Sequence, residues 1–427
     1  QRHSTGLEEL REVVSEWPAQ RTAAITGIDA EDLRQLVETF LSAKGAAIVT
    51  GTGLGMGQDG TLAQWLAECI NAVSGNLDRR GGTLVGEGIF DFAGFAKKNG
   101  MFMRKERSRI GNFRELNGGF PGGTLADEIL TPGQDQIKAM FVTGGNPLMT
   151  MANSTRLREA LQSLELLVVT DIYLNETASV ADYVLPATSP LERPDLPFIF
   201  PLFLGMQSIP YIAATQALVK PTGEQRDEAT IYTDLATACG IGLFGSTITQ
   251  RLLRFLKGVN RILHPRSSPG VPQKLLLDLI LRSSGNGSWR SLLRFPEGKP
   301  REQVAPGSFL GKRPTTEDGM VHLAPAEFVA ATAALEARFS QFAQAQERGE
   351  MRLISKRAHS THNSWTQNID ALTNGDHNRT NYLYLHPEDG QRLGLAEGDV
   401  ADIRSATSAI RLPVKLLEEL MHCLLYT

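Results

Sequence analysis

Twice along this chain a short apolar run ends in a glycine-bearing turn and gives way to an amphipathic helix. The first instance is Ala46–Thr50, the turn Gly51–Gly57 and a helix over Asp59–Ser74, with an apolar face at Leu62, Trp65, Leu66, Cys69 and Ile70. The second is Ile137–Thr143, the turn Gly144-Gly145-Asn146-Pro147 and a helix over Ser154–Leu164, followed by the runs Leu166–Thr170 and Tyr183–Pro186. Runs this short and this apolar suit strands buried on both faces. Strands that alternate with helices imply a parallel sheet, because each helix carries the chain back to the start of the next strand. The pattern predicts an α/β fold with a Rossmann-like parallel-sheet domain.

The surrounding punctuation agrees. Asp29 stands as N-cap before a helix over Ala30–Lys44, and Gly45 closes it. Thr83–Gly133 reads as loop-rich, and Asn117–Gly123 is too dense in glycine and proline for regular structure. Residues 240–310 read as mostly helical, and Met351 begins a β-rich region with strands near Arg352–Ser355, Tyr382–Leu385, Val400–Ser405 and Ala409–Leu416. The expected layout is a helix and linker from a preceding domain at 1–24, then an α/β dinucleotide-binding domain at 25–240. A mostly helical connection at 241–350 and a β domain at 351–427 follow. The amphipathic opening Gly6–Trp17 and the apolar tail Leu416–Thr427 both read as cut from something larger.

Several function classes are set aside. A net charge of −4 offers no basic field for nucleic acid. No run of about 18 apolar residues exists that could span a membrane; Leu196–Ala214 is broken by Pro197, Pro201, Gly205 and Pro210. Cys69, Cys239 and Cys423 lie far apart, without the spacing of metal or redox sites, and so few fit a reducing, cytoplasmic setting. There is no Gly-x-Ser-x-Gly elbow and no phosphate loop of the Gly-x-x-x-x-Gly-Lys type.

Ligands of open parallel sheets bind beyond the carboxyl ends of the strands. Three candidates fall there. Gly51, Thr52, Gly53 and Gly55 form a turn whose amides can approach a phosphate closely, or simply a flexible turn. Gly144, Gly145, Asn146 and Pro147 form a tight turn that presents an asparagine amide, or an ordinary Asn-Pro turn. Asp171, with Asn175, Thr177 and Ser179 behind it, offers a carboxylate that matches the paired N–H donors of a guanine, or a helix cap. In the β region Lys356–Trp365 is dense in polar groups; hydrogen bonding to a polar cofactor or plain exposure suits it better than a metal on His359 and His362, which lack a third ligand. His386-Pro387-Glu388-Asp389 reads as a turn after a strand.

Taken in order, four stretches resemble the molybdopterin oxidoreductase family, which contains dimethyl sulfoxide reductase, nitrate reductases and formate dehydrogenases. They are Gly51–Gly82 with Ser74-Gly75-Asn76-Leu77-Asp78, then Phe141–Pro147, then Val168–Asp171 through Glu176–Pro186, and finally His386–Asp389 followed by Leu393–Asp399. The resemblance covers most of residues 25–415. It implies a bis-molybdopterin guanine dinucleotide cofactor with molybdenum or tungsten. It implies that the α/β domain holds one dinucleotide through Gly51–Gly55, Gly144–Pro147, Asp171 and Thr177. It implies that the β domain is a double-psi barrel closing over the pterins near Arg357, His362, Asn363, Ser364 and Trp365. Asn363-Ser364-Trp365 resembles the formate dehydrogenase-like branch.

The family also has an N-terminal domain, often with an iron–sulfur cluster, and a central segment that supplies a metal ligand; neither pattern occurs here. No residue is therefore assigned to catalysis or to the metal. The family's barrel continues past a segment like Arg411–Lys415, so closing strands are expected to be missing or altered. Three readings stand open: the C-terminal portion of an oxidoreductase, inactive alone and completed by an N-terminal half or an electron-transfer subunit; a non-catalytic cofactor-binding subunit paired with a separate chain; and an unrelated nucleotide-binding α/β protein.

Overall fold

The computed structural model describes residues 2–98, 100–101, 105–116, 118–197, 205, 207, 209–263, 270–354, 362–373, 381–422 and 424–426. The chain forms two compact units. The first gathers Gln1–Lys98, Phe198–Tyr211 and Pro300–Glu350, and the second gathers Asn99–Pro197, Ile212–Lys299 and Met351–Thr427.

The first unit is helical and is organised by Gly60–Val73, whose apolar stripe becomes its core. Leu62, Trp65 and Cys69 pack with Leu10 and Leu323, and the Trp65 indole N–H donates to the Leu323 carbonyl at 2.8 Å. Ala46–Thr50 is not a strand. Val49 is 90% exposed, and the backbone of the run is held by a side chain: Asn71 accepts from Ile48 N at 2.9 Å and donates to Ile48 O at 3.3 Å. An apolar run becomes a strand only where another strand offers its edge, and here a helix lies alongside.

The Ser74–Asp78 stretch is a buried joint. Asp78 adopts φ 60 and is 5% exposed, and its carboxylate accepts from Gly307 N at 3.1 Å, Phe309 N at 2.8 Å and Leu310 N at 2.9 Å. Gly82 must lack a side chain, because a Cβ there would lie 2.1 Å from the Asn76 carbonyl oxygen.

The second unit carries a three-stranded parallel sheet, Ala139–Thr143, Leu166–Asp171 and Tyr183–Pro186, in that order. Thr143 pairs with Thr170 and Asp171 with Pro186, so the carboxyl ends of all three strands lie at one edge. Leu167 and Val169 of the central strand are fully buried against Leu157, Ala160 and Leu161 of the helix Ser154–Gln162. Each such apolar side chain contributes about 1.5–3 kcal/mol on burial. The loop-rich region also holds a short helix, Leu125–Leu130, whose Ile129 joins this core. One and a half turns are too few to leave a periodic signature.

The β-rich region forms a five-stranded mixed sheet in the order Val400–Arg404, Ala409–Leu416, Leu383–Leu385, Leu424–Tyr426, Arg352–Ile354. Leu383, Leu385, Ala401 and Val414 are its core. The alternation of parallel sheet, helices and mixed sheet gives the mixed α/β class expected. Among the described residues no helix is long and apolar enough to cross a membrane.

Two outcomes follow. Asp78→Ala strands two backbone donors, Phe309 N and Leu310 N, while Gly307 N keeps the Asp78 carbonyl at 2.9 Å, and it should cost about 2 kcal/mol or more of stability in urea unfolding; an unchanged midpoint would show that the joint is idle. Burial, and then the Glu68 carboxylate, push the Cys69 thiol up to about 11, so it stays protonated where thiolates react, whereas Cys239 is exposed. Iodoacetamide at about pH 8 should alkylate Cys239 and spare Cys69 on peptide mapping; equal labelling refutes the buried placement.

Candidate functional site

Beyond the carboxyl ends of the first two strands the chain must turn sharply, and the local sequence dictates how. Gly144 leaves its strand at φ 54, a left-handed conformation that favours glycine, and its N–H donates to the Thr170 carbonyl at 2.9 Å. Nothing lies within 4 Å of the position a Cβ would take, so bare backbone faces open space. Pro147 then starts the short helix Pro147–Thr150, where its missing N–H costs nothing.

Asn146 locks this turn to the segment after the central strand. Its Oδ1 accepts from Thr177 Oγ1 at 2.8 Å and Thr177 N at 3.2 Å, and its Nδ2 donates to Glu176 Oε2 at 2.6 Å. Thr177 is fully buried and also accepts from Leu148 N at 3.2 Å. Asp171 is held in the same way. Its Oδ1 accepts from Tyr173 N and its Oδ2 from Asn175 Nδ2, each at 3.0 Å. Each oxygen retains a free lone pair.

A cavity of about 450 Å³ opens at this edge. It is lined by Gly144, Gly145, Asn146 and Asp171, and across from them by Asn363, Ser364 and Trp365. Asn363 adopts φ 57 and enters the turn Trp365–Asn368, which leaves the indole 41% exposed. Pro147, Thr177 and His362 do not line the cavity; the first two brace the turn, and His362 N donates to Thr366 Oγ1 at 2.7 Å. Arg357 and His359 lie outside the described residues. Gly51, Thr52, Gly53 and Gly55 belong to the first unit, where Thr52–Met56 is an exposed 3₁₀ turn and no atom stands within 4 Å of a Cβ on any of those glycines.

Sequence reasoning passed over Tyr173, Thr188, Arg193, Glu228 and Asn368, which also line the cavity. Arg193 is its one cation among the described residues, and it is engaged by Glu228 at 2.9 Å. These residues come from loops, a helix start and a 3₁₀ turn with no motif of their own, so only their meeting in space marks them.

His386 proves to be a cap: its Nδ1 accepts from Glu388 N at 3.2 Å at the start of the helix Pro387–Leu393. His386, Glu388 and His422 offer ligand atoms within 4.8 Å of one another, away from this cavity.

The donor set fits part of a dinucleotide. A carboxylate with free lone pairs, side-chain amides, an exposed indole and a bare glycine turn suit a purine nucleoside. With its single arginine already paired, the cavity is poorly equipped for a pyrophosphate.

A parallel α/β sheet with a nucleoside-sized cavity at its carboxyl edge is the architecture of a nucleotide-cofactor protein. Residues 12–238 match the model of the molybdopterin oxidoreductases, and residues 351–422 match that of the molydopterin dinucleotide binding domain. The chain belongs to the molybdopterin oxidoreductase family. Its cofactor is a molybdopterin dinucleotide, the bis-molybdopterin guanine dinucleotide with molybdenum (or tungsten) implied by the resemblance.

Among similar proteins, "Probable oxidoreductase YyaE" of Bacillus subtilis (strain 168) is 26% identical over 59% of this chain and 35% of its own length. "F420-dependent formate dehydrogenase 2 subunit alpha" of Methanococcus maripaludis is 31% identical over 44% of this chain and 29% of its own. The solved structure of acetylene hydratase from Pelobacter acetylenicus shares the fold, with a TM-score of 0.73 at 21% identity over 99% of this chain and 59% of that one. The chain thus spans about a third of the length of the curated relatives it matches.

Thr177→Val keeps the volume but removes the hydroxyl that joins Asn146 to Leu148. It should lower stability by about 1–3 kcal/mol in urea unfolding. A midpoint within error of the parent would show that the turn holds without it.

Proposed function

We propose that this chain binds and orients the bis-molybdopterin guanine dinucleotide of a molybdenum or tungsten oxidoreductase of the formate dehydrogenase-like branch, and that catalysis belongs to the complete enzyme. When bound, the cofactor supplies two-electron or oxygen-atom exchange at its metal. The residues of this chain supply binding. Asp171 accepts the paired N–H donors of guanine, Trp365 covers a ring face, and the Gly144–Asn146 turn lets the nucleoside approach the backbone. Gly51, Thr52, Gly53 and Gly55 belong to the same proposal as an exposed turn of the first unit that by itself suits a phosphate, and the five-stranded mixed sheet forms part of a double-psi barrel over the pterins. Arg357 and His362 belong to the same proposal as polar neighbours of the pterins.

The observation that carries this reading is the Asp171 carboxylate. It is clamped by Tyr173 N and Asn175, and it keeps acceptor capacity toward a cavity of nucleoside size. The family membership supports the cofactor. The 31% identity to a formate dehydrogenase subunit supports the branch. A non-catalytic cofactor-binding subunit would use the same residues in the same way.

The test is Asp171→Ala in the whole protein that contains this chain. Removing the acceptor pair should reduce guanine nucleotide released on acid hydrolysis, and molybdenum per protein, by about tenfold. Unchanged guanine and metal content would exclude the proposed contact.

A further inference from the structure

A second cavity of about 640 Å³ lies within the same unit, between the Thr188–Pro194 turn, the Pro221–Asp227 segment and the helices Gln273–Ser283 and Trp289–Leu292. Its size suits a small organic molecule. Five cations line it, Arg193, Arg226, Lys274, Arg282 and Arg290, against three carboxylates, Glu192, Asp227 and Asp278.

The carboxylates are committed to the protein. Asp227 accepts from Thr230 N at 2.8 Å, Thr230 Oγ1 at 2.7 Å and Gln273 Nε2 at 2.9 Å. Glu192 accepts from Ser189 N at 2.8 Å and Gln225 Nε2 at 3.2 Å. Asp278 accepts from Arg282 Nε at 2.7 Å and Trp289 N at 2.6 Å, and these bonds hold its carboxyl below the usual range. Two of the cations are less committed, although the charge of Lys274 is near enough to Asp278 to help lower its carboxyl. Arg193, Arg226 and Arg282 have acidic partners, whereas Lys274 and Arg290 form no ion pair among the described residues and both are exposed.

Two polar atoms of lining residues also lack partners. Trp289 is 1% exposed and Thr188 is 3% exposed, yet the Trp289 Nε1 and the Thr188 Oγ1 make no hydrogen bond. Both atoms are sealed from solvent, so Trp289 and Thr188 meet the cavity through their other atoms.

We propose that this cavity binds a small phosphate-bearing molecule, with its phosphate at Lys274 and Arg290 and its body against the wall formed by Trp289 and Thr188. The arginine fork matches phosphate oxygens in geometry, and the lysine adds a compact charge. The site is distinct from the nucleoside cavity, although Thr188 and Arg193 line both. It does not rest on the cofactor reading.

The test is calorimetric titration of AMP, and separately of inorganic phosphate, into the cofactor-loaded protein at low salt. AMP should bind saturably, and the Lys274→Glu/Arg290→Glu variant should bind it about tenfold more weakly or worse. Thermal unfolding of the unligated variant should match the parent, because both side chains are exposed. Absence of saturable AMP binding overturns the proposal, as does equal affinity in the double variant. Inorganic phosphate binding as tightly as AMP reduces the cavity to an anion hole and also overturns it. Loss of AMP binding in Asp171→Ala would place AMP in the other cavity and overturn it too.

Discussion

Asn146 is the residue on which the ligand edge of the sheet depends. One side-chain amide joins the turn after the first strand to the segment after the second, through Thr177 and Glu176. Parallel strands place their carboxyl ends side by side, but nothing in strand pairing dictates the path of the loops beyond them. The buried Asn146–Thr177 contact does so, and the desolvation of both groups makes the contact costly to leave unmade. The Asp171 carboxylate is tied to this arrangement, because Asn175, which holds its Oδ2, also reaches the Gly145 carbonyl at 3.4 Å.

The same device recurs in the first unit with a different purpose. There Asn71 takes both backbone groups of Ile48, and Asp78 takes three amides from 307–310. Polar side chains on or just after one helix do what a neighbouring strand does elsewhere, and Asp78 fastens segments more than two hundred residues apart. The Asn76-Leu77-Asp78 stretch that marks the family resemblance is thus a structural joint, with its chemistry spent on backbone donors. Asp171 differs in the capacity it keeps: its two partners leave lone pairs on a carboxylate whose residue lines a cavity.

Much of this was legible in the linear pattern. Tyr183–Pro186 and Ala409–Leu416 stand as expected, and Asp29 caps its helix by accepting from Glu31 N at 2.7 Å. The failures have a common cause. Ala46–Thr50 is apolar and bounded by glycines like a buried strand, yet its neighbour is a helix and Asn71 pairs its backbone. Local composition reports what a segment could pair with and leaves its neighbour undetermined. Among candidate site residues, Thr177 carries a hydroxyl fit for a ligand and turns it inward to Asn146, and that choice is invisible in one dimension.

By itself, the sequence determined the α/β class, the parallel order of the sheet and the position of the glycine turns, because these follow from periodicity and from backbone conformations that favour glycine. Its ordered motifs also pointed to the family. Only the tertiary structure decided that 300–350 joins the first 98 residues, and that Asn363–Trp365 faces Asp171 across a cavity. It alone brought Lys274 and Arg290 to a cavity whose carboxylates are already taken. Contacts between segments so distant in the chain are selected by burial and by the satisfaction of buried polar groups, and neither leaves a local trace.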